Sequence, residues 1–111
     1  DQIVRKGKHQ IIGHWGTEVT YKLLTPDTES SIEFILMEIP TATSTNKVPR
    51  GHKGEETAYV LEGSVQIMVD DHIYELNEGD SIRILPHHPH QWTNNSRHLV
   101  RVIFAVNPPS F

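Results

Sequence analysis

The residues with most chemistry in this chain lie in two short stretches. His52-Lys53-Gly54-Glu55-Glu56 sets an imidazole and a carboxylate four positions apart, just before the β-prone run Thr57-Ala58-Tyr59-Val60-Leu61 and the glycine at Gly63. A second imidazole opens His90-Gln91-Trp92-Thr93-Asn94, downstream of a Gly-Asp turn at Gly79-Asp80. Two imidazoles and one carboxylate suit either of two tasks. They match the 2-His-1-carboxylate set that holds Fe(II) or a similar divalent ion and leaves positions open for substrate and oxygen. They also suit a metal-free polar pocket, in which Glu56 would pair with an amine. The chain shows no nucleophile motif, phosphate-binding Gly loop or zinc-finger spacing, so no catalytic residue is assigned.

These groups must be positioned by strands, because strand signals are many and helix signals few. β-prone runs fall at 10–12, 19–24, 31–39, 57–61, 64–69, 72–76, 81–85, 91–93 and 99–106. Gly, Pro, Asn and Asp punctuate them, and no segment carries a sustained 3.6-residue apolar stripe. Short strands at this spacing predict an all-β antiparallel sandwich or barrel. The run 31–39 is apolar on both faces towards its end, as a strand sandwiched between layers would be. Pro40 to Pro49 reads as a loop, and Val69-Asp70-Asp71-His72-Ile73 as a tight hairpin. By the strand period of two, Glu56, Ala58 and Val60 share one face, and His90, Trp92 and Asn94 share another. Glu55 then points outward, and Tyr59 is expected on the outer face. Along 65–69, Val65, Ile67 and Val69 alternate with Gln66 and Met68, and the pattern leaves open which set lines the interior.

Composition narrows the classes. One domain is the natural reading of 111 residues. The formal charge of −4, with Lys and Arg scattered, argues against this segment gripping a nucleic-acid backbone. The absence of cysteine excludes a disulfide framework and a thiolate metal site, which fits a cytoplasmic setting. No apolar run approaches the roughly 18 residues that span a bilayer, so no membrane partner is expected. Residues 1–8 are polar and basic, like the end of a linker. The domain is therefore placed at 9–111, with a further domain expected to precede it in a longer protein.

The motifs His-x3-Glu-x6-Gly (52–63) and Gly-Asp-x-hydrophobic followed by His-x3-Asn (79–94) resemble the two motifs of the cupin superfamily. That likeness implies a jelly-roll β-barrel, the double-stranded β-helix, with a pocket in its mouth. Gly54-Glu55-Glu56 to Gly63, Gly79-Asp80-Ser81-Ile82, Pro89-His90 and the tail Asn107-Pro108-Pro109-Ser110-Phe111 are similar to the sensor domain of XRE-type helix-turn-helix transcription regulators. The resemblance implies a small polar effector (an amine, amino acid or small acid) bound by Arg50, His52, Glu56, His90 and Trp92. It also implies a homodimer and DNA contact only through an N-terminal helix-turn-helix domain outside this chain. The alternative is a mononuclear non-haem enzyme of epoxidase or dioxygenase type, with Fe, Mn, Ni or Zn on His52, Glu56 and His90.

Arg50 occupies the family's first histidine position. An inward guanidinium about 5 Å from a divalent ion would repel it by roughly 3 kcal/mol per unit of metal charge at an effective dielectric of ~20. It would instead pair with Glu56 or with an anionic group of an effector. That substitution tilts the reading towards a sensor without a resident metal. A second departure precedes His90, where the family's Pro and Gly are replaced by Leu85 and His87. His87 and His88 are read as solvated loop histidines, with a surface metal contact or a pH-sensitive lid as the sharper alternatives. His9, His14, His72 and His98 are read as surface residues.

Overall fold

The computed structural model describes residues 2–13, 18–46 and 51–110, and within them the chain forms ten strands and no helix. The strands are β1 (Ile11–Gly13), β2 (Thr20–Leu23), β3 (Glu33–Ile39), β4 (Thr43–Ser44), β5 (Glu55–Glu62), β6 (Val65–Val69), β7 (His72–Leu76), β8 (Ser81–Ile84), β9 (His90–Asn94) and β10 (Val100–Asn107). They pair antiparallel in two sheets, ordered β1-β2-β3-β10-β5-β8 and β4-β9-β6-β7. From β3 onward the chain crosses between sheets at each step, except in the β6–β7 hairpin. That alternation is the jelly roll expected from the sequence. Residues 2–10 form no strand and are mostly exposed.

Alternation of side chains builds the core. Along β5, Glu56, Ala58 and Val60 are buried while Glu55, Thr57 and Tyr59 face out. Along β9, His90, Trp92 and Asn94 turn inward together. On β6 the interior set is Val65 and Ile67, with Gln66 and Met68 half-exposed. Ile35, Met37 and Ile39 of β3 line the interior, and Leu36 on the opposite face is buried too. Leu36 sits in the middle of the larger sheet, between Lys22 and Ile103, which explains its two-sided apolar pattern. Each aliphatic side chain buried in this way contributes about 1.5–3 kcal/mol.

Most strand ends differ from the sequence expectation by a residue or two, and three differences bear on the path of the chain around the site. The loop read over Pro40 to Pro49 contains β4, which pairs Thr43 with Asn94 and Ser44 with Thr93. Backbone bonds from Ala42 N to Asn94 O (2.8 Å) and from Thr45 N to Trp92 O (2.9 Å) hold it. Such a two-residue strand is specified by its partner and has no period of its own to read. The strand expected from Ser31 starts at Glu33, because the Ser30 hydroxyl accepts the Ile32 N–H at 3.1 Å and ties the preceding residues into a turn. The strand expected at 91–93 extends to His90 and Asn94. The β6–β7 hairpin forms as anticipated, with Val69 opposite His72 and Asp70 at φ 55°.

Candidate functional site

The larger sheet supplies one wall of the site and the smaller sheet the other. Glu56 projects from β5, His52 from the segment entering β5, and His90 from the first residue of β9. Glu56 Oε1 lies 3.1 Å from His52 Nε2 and 3.6 Å from His90 Nε2. The two imidazoles meet edge to face, with centroids 5.0 Å apart. Glu56 and His90 are buried and His52 is half-buried, so the group opens to solvent on the His52 side.

Charge and burial compete here. Burial alone pushes the Glu56 carboxyl up. Hydrogen bonds to His52 and His90, and the charge of both rings, outweigh that and hold it below the usual carboxylate range. The hydrogen bond to Glu56 raises His52, against the opposing effect of burial, and the charges of Glu56 and Glu33 add to the rise. The two shifts thus reinforce each other, each group favouring the charged form of its neighbour.

The segment before β9 sets the ring orientation. His90 Nδ1 lies 3.0 Å from the His88 carbonyl, which can only accept, so Nδ1 carries the proton. His90 Nε2 is turned towards Glu56. On the other side, the His87 N–H donates to the His52 carbonyl at 2.7 Å. His87 itself adopts φ 68°, a left-handed conformation that glycine adopts more readily. Both histidines are exposed, as expected, but their backbone groups touch each wall of the site. His72 and His98 are exposed and His9 is half-buried; His14 and Arg50 lie outside the described residues.

Trp92 is 3% exposed and packs into the core two residues beyond His90, on the same face. Three further residues carry no site role in the sequence reading. Tyr21 on β2 is buried, and its phenol is pushed up to about 12, by burial first and then by the charge of Glu56. Glu33 on β3 is buried and accepts from the backbone N–H of Ser110 at 2.8 Å and from its hydroxyl at 2.9 Å. The side-chain amide of Asn94 donates to the Ile39 and His98 carbonyls, both at 2.8 Å. Its oxygen accepts from Ser96 N and Oγ. Tyr21 and Glu33 are coupled to the site by charge across the sheet, and no local spacing links them to His52. Asn94 ends the second motif, so its position was visible but its anchoring role was not.

The donor set suits a divalent ion. The three donor atoms lie within 4.8 Å of one another. Two ligands at right angles on one ion, each bound at about 2.1 Å, stand roughly 3 Å apart, close to both spacings at Glu56. The bond from His90 Nδ1 to the His88 carbonyl turns Nε2 inward as a ligand, in the way hydrogen-bonded carbonyls orient metal-binding histidines. His52, Glu56 and His90 would hold such an ion.

A two-sheet barrel with an inward polar cluster at its rim is the architecture of the cupins. Residues 35–106 match the Cupin_2 (cupin domain) family, and the chain belongs to it. It is 37% identical over 60 residues to the HTH-type transcriptional regulator PuuR of Escherichia coli strain K12, a match that covers 54% of this chain and 32% of the regulator. The matched stretch thus spans about a third of that relative's length. Among solved structures, a predicted oxalate decarboxylase from Thermotoga maritima superposes with a TM-score of 0.80 at 16% identity, over 96% of this chain and 99% of the other. The Cupin_2 domain of an XRE family transcriptional regulator from Enterobacter cloacae superposes at 0.71 with 18% identity, over 82% and 97%. At these identities the superpositions establish the fold alone.

Proposed function

We propose that this barrel is the effector-sensing domain of a bacterial transcription regulator. A small polar metabolite would enter the barrel mouth and meet His52, Glu56 and His90 above Trp92. Arg50 is added as a contact on the sequence pattern alone. The observation that carries the reading is the 37% identity to a helix-turn-helix regulator. The chemistry of the wall is compatible with it. Glu56 is held ionised, and the buried Glu33 acts on the same imidazole, so the site favours a ligand with a cationic end. DNA would be contacted by a helix-turn-helix domain elsewhere in the whole protein, in a cytoplasmic homodimer whose symmetry matches a two-fold operator. Occupancy would shift the balance between dimer arrangements and so change operator affinity.

The test is a thermal-stability screen of amines, amino acids and small acids on metal-free protein. A true effector at about 100 times its Kd stabilises by about 2.7 kcal/mol. His52→Ala and Glu56→Gln should abolish the shift. If no metabolite class stabilises the fold while a divalent ion does, the sensor reading fails.

One observation favours a second reading, a metal-dependent enzyme. The His88 carbonyl fixes His90 with Nε2 facing Glu56, as a ligand requires. An ion held there, Fe, Mn, Ni or Zn, would supply Lewis-acid or redox chemistry. The residues of this chain would hold it and, through Trp92, close the floor to water. Protein purified without chelators would then contain stoichiometric metal, and Glu56→Ala would lose it.

A further inference from the structure

The loop between β8 and β9 crosses from the larger sheet to the smaller one. It touches both walls of the site through its backbone: His87 N–H on the His52 carbonyl, and the His88 carbonyl under the His90 ring. Gly51 packs against the same loop, where a Cβ would stand 2.6 Å from the His87 carbonyl oxygen. The His88 carbonyl is the hydrogen-bond partner of His90 Nδ1, so its place bears on how the ring is turned.

A residue that does not itself belong to the donor set holds that place. Asp70, in the β6–β7 turn, bonds His88 Nδ1 through Oδ2 at 2.7 Å. Its backbone N–H also donates to the Pro89 carbonyl at 2.8 Å. The turn itself is fixed by the ladder that pairs Val69 with both His72 and His90. A side-chain bond and a main-chain bond from one residue thus secure the two residues that precede His90. We propose that Asp70 is a positioning residue of the site, acting through His88 to hold the carbonyl that orients His90. The inference rests on the reading of His90 as a site residue, whether a metabolite or a metal occupies the pocket.

Asp70 also suits a clean test. At φ 55° a glycine is more comfortable than aspartate, so Asp70→Gly removes the carboxylate without straining the turn. Asp70→Asn keeps an acceptor for His88 Nδ1–H and tolerates the same φ. The readout is the imidazole ¹⁵N–¹H spectrum of the metal-free chain, which reports directly whether His90 Nδ1 carries a proton. The wild type is expected to show Nδ1 protonated. Asp70→Gly should raise the share of His90 without a proton on Nδ1 about one-and-a-half- to fivefold, the range open to a polar pair this exposed. His88→Ala should match it, the double variant should add nothing further, and Asp70→Asn should restore the wild-type spectrum. An unchanged His90 in Asp70→Gly overturns the proposal, as does an Asp70→Asn spectrum like that of the glycine variant. Because the spectrum is read without a ligand, failure to find an effector leaves this result interpretable.

Discussion

Replacing Glu56 with glutamine should change how stability depends on pH more than it changes stability itself. The carboxylate lies 3.1 Å from His52 Nε2, so the gross attraction for a charged ring is about 5 kcal/mol at an effective dielectric of ~20. Most of that is offset by desolvation of the buried carboxylate and by solvent at His52, whose side chain is 23% exposed. A net pH-dependent contribution of roughly 1–2 kcal/mol remains. His52 is raised in the fold, so its share is fully present below the unfolded imidazole value of about 6.5 and is lost as pH rises through the folded value. Glu56 is lowered in the fold, so its share is present above the unfolded carboxyl value of about 4.3 and is lost as pH falls through the folded value. The pair therefore stabilises most between these two unfolded values and fades on the alkaline side. Glutamine keeps an acceptor for His52 Nε2–H but carries no charge. For a domain of this size, 1 kcal/mol corresponds to about 4 °C in Tm. Metal-free wild type should lose about 4–8 °C more than Glu56→Gln between pH 6 and pH 8.5, by calorimetry in EDTA. Parallel Tm curves for the two proteins would show that the pair is not coupled and that the raised His52 is not caused by Glu56.

Asn94→Ala should cost roughly 2–4 kcal/mol in urea unfolding, because it strips partners from the buried Ile39 carbonyl and from the 95–98 turn. His87→Gly should stabilise by about 0.5–1 kcal/mol, seen as a Tm rise of a few degrees, since the bond to His52 uses the backbone and only the left-handed strain is removed. Gly54→Ala should destabilise by about 1–3 kcal/mol, because the new Cβ would meet the Pro108 carbonyl oxygen and stand 2.5 Å from Val106 Cγ1. A Gly54→Ala protein with wild-type Tm would mean that the C-terminal tail yields freely.

The legible parts of the fold were those carried by a local period. The alternation through β5 and β9 put Glu56 and His90 inward, and the structure agrees. Glycine and aspartate marked the hairpin at Asp70 and the turn at Gly79. β4 was not legible, because two residues carry no period and their hydrogen bonds come from β9. The site was half legible. His52, Glu56 and His90 stand out as residue types at motif spacing. Tyr21 and Glu33 look like ordinary strand residues until the sheet brings them near Glu56 and His52. His88 was read as a solvated loop residue, and its side chain is exposed; its contribution passes through its carbonyl, a group present at every position and invisible to residue-type reasoning.

Glu56 belongs to one sheet and His90 to the other, which has a consequence for motion. A molecule bound to both is a rivet through two leaves at their open rim. Breathing of the sandwich must break it, so its dissociation rate caps how often the leaves part. Amide hydrogens in β4 and β8, at sheet edges beyond the pocket, should exchange more slowly whenever the rivet is in place.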